Sequence, residues 1–284
     1  MVLAAQLWLV IARAQASRVL SAWQTDGTTF IVRDDRGWRE LVADDGSRAM
    51  VHTRVKKVDT LVSGSRYTDG FHLAVALAGA PRHALFIGAG GAIGPRQFAA
   101  FYPEVEIDVV DVDARVLSAA RHFFHLADGD RLRTHVADGS AFIAAAADLR
   151  FDIVVLDAYH GAGFFVEALA TEEFFTVVRN KLKPGGVLCV NLVGDARRPC
   201  SPACRVASAI SRAFAGQCRI FRVPERRHGL GNCIGIAVRG PVTYRWNDLA
   251  RRARRLDRRV SFAAAIARRR IRFSRTSLGR GTML

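Results

Sequence analysis

The chemistry in this chain is concentrated at the ends of four apolar runs. HALFI is followed by Gly88, Gly90, Gly91 and Gly94. Glycines between a strand and a helix let the backbone approach a ligand, and the helix N-terminus offers unpaired N–H groups. The next apolar run, EIDVVD, ends in Asp111. An acid about twenty residues past such a turn can accept hydrogen bonds from both hydroxyls of a ribose. Asp113, two residues on, reads as the N-cap of the following helix. RLRTHVADG ends in Asp138 and Gly139, and FDIVVLD ends in Asp157. Ligands of an open parallel sheet bind beyond the carboxyl ends of its strands, so these four ends supply one rim. An adenosine with a cationic end would use all of it, with one acid on the ribose, one on the adenine amine and one near the positive charge. NAD is the rival ligand, but its fingerprint asks for Gly at position 93, where this chain has Ile93.

The elements that must hold this rim follow from periodicity. From residue 82 onward, continuous apolar runs alternate with amphipathic helical stretches, the pattern of a parallel sheet covered on both faces. LKPGG at 182–186 reads as a helix stop before a strand, and QCRIFRV and NCIGIAVRG close the pattern as an antiparallel hairpin. That layout predicts an α/β, Rossmann-like class I S-adenosylmethionine-dependent transferase fold with a mostly parallel seven-stranded sheet. Ahead of it, TTFIVRDD, GWRELVADD and SRAMVHTRV are separated by turn signals and predict a small antiparallel β-unit. Four regions result: a helix at 1–20, the β-unit at 21–66, the transferase domain at 67–240 and an Arg-rich tail at 241–284.

Charge and cysteine content bound the rest. Of 284 residues, 42 are Lys or Arg and 26 Asp or Glu, a formal net charge of +16. Residues 251–284 hold twelve Arg and one Asp, so the body is only mildly basic. The tail reads first as a solvated helix or free segment, and second as a dock for nucleic acid or an anionic surface through residues 251–280. An odd count of five Cys in a chain of this size argues against a disulfide framework and for a reducing, cytoplasmic setting. Cys200 and Cys204 lack the second ligand pair of a zinc site, so no metal is expected. The apolar run at the N-terminus breaks at Gln6 and ends at Arg13, short of the ~20 residues a membrane span needs.

From about residue 21 to 240 the chain resembles the spermidine synthase (polyamine aminopropyltransferase) family. Trp23-Gln24 is similar to the family's Tyr-Gln, Tyr67 to the Tyr of Tyr-His-Glu, and IGAGG to IGGGDGG. VVDVDARVLSAARHFF, VADGSAFI, FDIVVLDAY and LATEEFFTVVRNKLKPGGVL resemble successive family blocks, and DAYHGAG with TEEFF is similar to divergent bacterial spermidine synthase-like proteins. The resemblance implies that Gln24, Gly88, Gly90, Asp111, Asp138 and Gly139 hold the nucleoside of S-adenosylmethionine or its decarboxylated form. It places Asp157 beside the sulfonium and Tyr67 toward the acceptor amine. The departures are specific. Gly91 and His160 stand where the family has Asp, Thr68 where it has His, and Asp69 where it has Glu.

A polyamine site needs carboxylates to pair its ammonium groups. Their loss challenges aminopropyl transfer and leaves methyl transfer to an unknown acceptor as the alternative. A non-catalytic nucleoside-binding protein is the third reading. His160 is the candidate general base, with an ordinary pKa near ~6.5, or a loop residue with no catalytic role. Tyr159 is a second candidate, as an acceptor-orienting hydroxyl or as packing. The partners expected are a small-molecule amine or other methyl acceptor and a second copy of the chain.

Overall fold

A computed structural model describes residues 17–59, 61–161, 163–223, 231–240, 248–256, 266 and 270–271. Four strands, β1 (Arg18–Thr25), β2 (Thr28–Asp35), β3 (Trp38–Asp44) and β4 (Ala49–Lys56), form an antiparallel meander. Two of its turns have both central residues at positive φ: Asp26 and Gly27 (47° and 77°), then Arg36 and Gly37 (45° and 82°). That mirror-image turn matches the twist of a two-residue hairpin. The three runs expected in this unit are β2 to β4. The first strand begins at Arg18, inside the stretch expected as an N-terminal helix over 1–20. Residues 1–16 of that stretch lie outside the description.

Helix α1 (Tyr67–Ala78) leads into the alternating part. There β5 (His83–Ile87), α2 (Ile93–Phe101), β6 (Glu106–Asp111), α3 (Ala114–Phe124), β7 (Leu132–Val136), α4 (Gly139–Ala145) and β8 (Phe151–Leu156) follow one another. A two-residue hairpin, β9 (Tyr159–His160) and β10 (Phe164–Phe165), precedes α5 (Glu172–Lys181), β11 (Leu182–Val193), α6 (Pro202–Ala213), β12 (Cys218–Arg222) and β13 (Asn232–Val238). Side-chain oxygens of Asp113, Asp138, Thr171 and Ser201 cap α3, α4, α5 and α6, so four of the helices start where the sequence supplies an acceptor.

The large sheet runs β12-β13-β11-β8-β5-β6-β7, parallel from β11 to β7. β13 is antiparallel to both β11 and β12. Strand order reverses at β5, which pairs β6 on one side and β8 on the other. An α/β sheet opens its ligand crevice at such a reversal. Phe86, Val109, Ile153 and Val155 fill one face of the sheet and Leu85, Val110, Val154 and Leu188 the other, all essentially inaccessible. A third cluster, Val32, Leu41 and Val55 with Ile93, Ala119 and Phe124, seats the β-unit on α2 and α3.

Part of the Arg-rich region folds back onto the body. Helix α7 (Leu249–Arg254) buries Leu249 and Ala253, and Ile266 is buried in the same core. A short strand, β14 (Arg270–Ile271), pairs with Ile220 and Phe221 and adds an eighth strand to the seven expected. The tail is therefore anchored at three points, because its apolar residues interrupt the arginines. Docking on nucleic acid or an anionic surface through 251–280 falls largely on residues outside the description. Among the described residues, no helix is long and apolar enough to cross a membrane.

Candidate active site

A cavity of about 680 Å³ lies where the ends of β5, β6 and β8 meet the β-unit. Gly88 closes β5 at φ +92°, and a Cβ there would stand 2.3 Å from the carbonyl oxygen of Asp157. Only glycine allows the ends of β5 and β8 to come so close. Asp111 accepts the N–H of Ala89 at 2.8 Å and that of Asp113 at 3.0 Å. Burial raises its pKa, and these amides, with that of Gly90, oppose the rise. The Gly91 N–H goes to the Thr53 hydroxyl at 2.8 Å, and the Ala92 N–H to the Ala89 carbonyl at 2.7 Å. The amides of Ala89, Gly90, Gly91 and Ala92 are thus spent on the protein, which removes donors a dinucleotide's phosphates would need.

Asp138 caps α4 through the Ala141 N–H at 2.9 Å and also accepts from Ser140. These donors hold its carboxyl below the usual range. Gly139 follows it in the wall, and a Cβ there would reach 2.4 Å from Ile87 Cγ2. Asp157 sits deeper. Its Oδ1 accepts from the Asn191 amide at 2.8 Å, and Asn191 Oδ1 accepts from Asn232 at 2.7 Å. The Tyr67 hydroxyl has one hydrogen to give, within reach of Asp157 and of the His52 carbonyl 3.3 Å away. Burial pushes Asp157 up to about 7, against the pull of Asn191 and Tyr67. Gly88, Gly90, Asp111, Asp138, Gly139, Asp157, Tyr67, Tyr159 and His160 all line this cavity.

Two expected residues have other employment. The Gln24 side chain is not among the lining groups; its amide donates to Thr29 at 3.2 Å, and its neighbours Thr25 and Asp26 reach the cavity instead. Tyr159 lines the wall with its ring, but its hydroxyl donates to the Asn191 carbonyl at 2.6 Å and accepts the Val193 N–H at 3.0 Å. The hydroxyl thereby holds the end of β11, and burial drives its pKa up. His160 is exposed at the rim, in β9 opposite Phe164.

The departures from the family pattern have physical correlates. At Gly91 a Cβ would stand 2.4 Å from Thr53 Cγ2, so this chain has no room for the Asp expected there. Asp69 is buried outside the cavity lining, paired with Gln97, and burial pushes it up to about 7. Residues the motifs missed include Asp26, His52, Thr53, Asn191 and Asn232. Asn191 carried a signal, as a lone polar residue within the apolar run VLCVNLV. Five aspartates, Asp26, Asp111, Asp113, Asp138 and Asp157, are among the described lining residues, and no Lys or Arg is; the Asp113 carboxylate accepts from Thr25 and pairs with Arg115.

Residues 69–224, more than half of the chain, match the family model of the spermine/spermidine synthase domain. A polyamine aminopropyltransferase from Chromobacterium violaceum is 31% identical over 71% of this chain and 73% of its own length. The chain belongs to the spermine/spermidine synthase family. It spans 27% and 47% of the lengths of the curated relatives from Bifidobacterium longum and Vibrio vulnificus. Two solved structures share its fold. One is a spermidine synthase in complex with the transition state analogue AdoDATO, with TM-score 0.62 and 21% identity over 78% of this chain and 73% of that one. The other is human methyltransferase-like protein 13 in complex with SAH, with TM-score 0.59 and 23% identity over 69% of this chain and 92% of that one.

Proposed function

We propose that this protein transfers the aminopropyl group of decarboxylated S-adenosylmethionine to an amine. One observation carries the choice. In a chain of net charge +16, five aspartates are among the described residues lining the cavity, and no Lys or Arg is. A sulfonium ending in an ammonium suits such a field. The carboxylate of S-adenosylmethionine itself would enter among these aspartates with no Lys or Arg to receive it. Asp111 would hold the ribose, Asp138 the adenine amine, and Asp157 the cationic end.

In the transfer, the lone pair of the acceptor nitrogen attacks the methylene carbon bound to sulfur. The C–S bond breaks, its electron pair returns to sulfur, and methylthioadenosine leaves as a neutral thioether. The new C–N bond leaves a proton on nitrogen for a base at the rim, the role open to His160. The sulfonium is already an activated leaving group, so alignment of the two reactants supplies much of the acceleration.

Calorimetry with the two nucleosides tests the reading. It expects at least tenfold tighter binding of the decarboxylated form, and release of methylthioadenosine with an amine from a panel of mono- and diamines. Preference for S-adenosylmethionine would overturn it in favour of methyl transfer. Binding of the decarboxylated form without release of methylthioadenosine would overturn it in favour of a nucleoside-binding protein.

A further inference from the structure

Strand β4 reads AMVHTRVK, and a two-residue period would point His52 and Thr53 to opposite faces. The pairing with β3 departs from that period. Leu41 pairs with Thr53 and Val42 with Val51, so His52 stands opposite no residue. An extra residue of this kind is a β-bulge, which bends the strand and re-aims side chains. Here it lets neighbouring groups of His52 and Thr53 serve three other segments of the chain. Thr53 Oγ1 receives the Gly91 N–H at 2.8 Å, the His52 carbonyl receives the Tyr67 hydroxyl at 3.3 Å, and His52 Nε2 lies 2.8 Å from the Gly161 carbonyl. A carbonyl only accepts, so Nε2 carries the hydrogen. The ring packs edge-on against Phe30, with centroids 6.2 Å apart.

The loop on the other side of that bond is short. β9 and β10 share two residue pairs, and the turn between them has Gly161 at φ +46° and Gly163 at φ +104°. A hairpin of this size has little stability of its own. It is tied to β11 by the Tyr159 hydroxyl and to β4 by His52. We infer that His52 is a positioning residue: through the Gly161 carbonyl it fixes the 159–165 hairpin over the acceptor end of the cavity, and with it the place of His160. The inference deepens the aminopropyltransfer reading and rests on it only for the chemical role of His160.

The test compares H52A and H52Q with the parent chain by hydrogen exchange across residues 157–166, with and without methylthioadenosine. A net hydrogen bond corresponds to roughly three- to tenfold in a local opening equilibrium. H52A is expected to speed exchange of the Gly163 amide, which bonds the His160 carbonyl, by about that factor. H52Q keeps a donor at similar reach and should restore exchange to within about twofold, whereas a merely space-filling role would not distinguish the two. Affinity for methylthioadenosine should stay within about threefold, and with a working acceptor kcat should fall while the nucleoside KM holds. If H52A does not fold, H52M, of similar length and with no donor, makes the same comparison. Unchanged exchange in the donor-less variant, or H52Q no better than H52A, overturns the inference. Failure of the parent chain to bind methylthioadenosine would instead overturn the nucleoside reading, and exchange in the free protein would still decide the role of His52.

Discussion

Asn191 donates to the Asp157 carboxylate at 2.8 Å while its own carbonyl oxygen takes a hydrogen from Asn232 at 2.7 Å. The relay spans the ends of β8, β11 and β13 and aims a donor at an acid that burial pushes up to about 7. A hydrogen bond to a charged group is worth about 1.5–3 kcal/mol. Asn191→Ala should therefore move Asp157 further above 7. Affinity for decarboxylated S-adenosylmethionine should drop at least tenfold at pH 7, and the gap to the parent should narrow by pH 9. A pH series of calorimetric titrations checks this, and a gap that does not change with pH would assign Asn191 a role other than charging Asp157.

Asp111→Ala should weaken binding of either nucleoside by well over tenfold, since two ribose hydrogen bonds to a charged group are at stake. The same carboxylate holds the Ala89 and Asp113 amides, so the melting temperature should fall as well. Asp111→Asn, which keeps the shape and one acceptor, should recover much of the stability and less of the affinity. Equal affinity in all three proteins would remove Asp111 from the nucleoside site.

The four strand ends were legible because a parallel sheet makes the chemistry local. Each acid follows directly from an apolar run, and the topology brings consecutive ends to one edge without help from distant residues. What came from the β-unit was far less legible. Trp23-Gln24 marked the strand whose end meets the cavity, and the residues of it that line the cavity are Thr25 and Asp26, beside the turn that sets the register of the hairpin. His52 was hidden for a related reason, since a bulge breaks the alternation from which facing is read. Tyr159 carried two readings, an acceptor-orienting hydroxyl or packing. Its place beside Asp157 suggested chemistry, and only the backbone of β11, more than thirty residues away, shows its hydroxyl already taken.

Restoring the family's acid at position 91 should not improve this protein. Gly91→Asp would drive a Cβ to within 2.4 Å of Thr53 Cγ2, in a packed site next to Phe124. A clash of this kind costs about 1–3 kcal/mol. Thr53→Ser removes the methyl group and keeps the hydroxyl that receives the Gly91 N–H, so G91D with T53S should regain a large part of the loss. Chemical denaturation of the four proteins in the cycle measures the coupling. Simple additivity would show that the methyl contact is not what keeps residue 91 small.

Tyr159→Phe should separate structure from chemistry. It leaves the Asn191 carbonyl and the Val193 N–H without their shared partner, at a cost of about 1–3 kcal/mol in a buried setting. The melting temperature should fall by several degrees, while turnover per folded molecule and nucleoside affinity stay within about threefold of the parent at a temperature where both are folded. A hundredfold loss of turnover with unchanged stability would return the hydroxyl to the reaction.

Asp157→Asn should stabilise the free protein, and more so as pH rises. An acid whose folded pKa of about 7 lies above its unfolded value favours folding fully only below about pH 4, and that contribution is lost as pH climbs through 7. Asp69 pulls the same way, but His72, buried and held to about 4, gains stability as pH rises from about 4 to 6.5. The pH profile of the parent alone therefore mixes opposing effects, and the informative quantity is the difference between D157N and parent. That difference should be smallest near pH 4, where the acid is largely protonated in the unfolded chain as well, should grow in favour of D157N as pH rises toward 7, and should level off above it. The same substitution should abolish the preference for decarboxylated S-adenosylmethionine, because the cationic end loses the carboxylate that offsets it. Stability falling in D157N at pH 8 would mean that Asp157 holds the fold together, and the acid would no longer be a group kept under strain for its ligand.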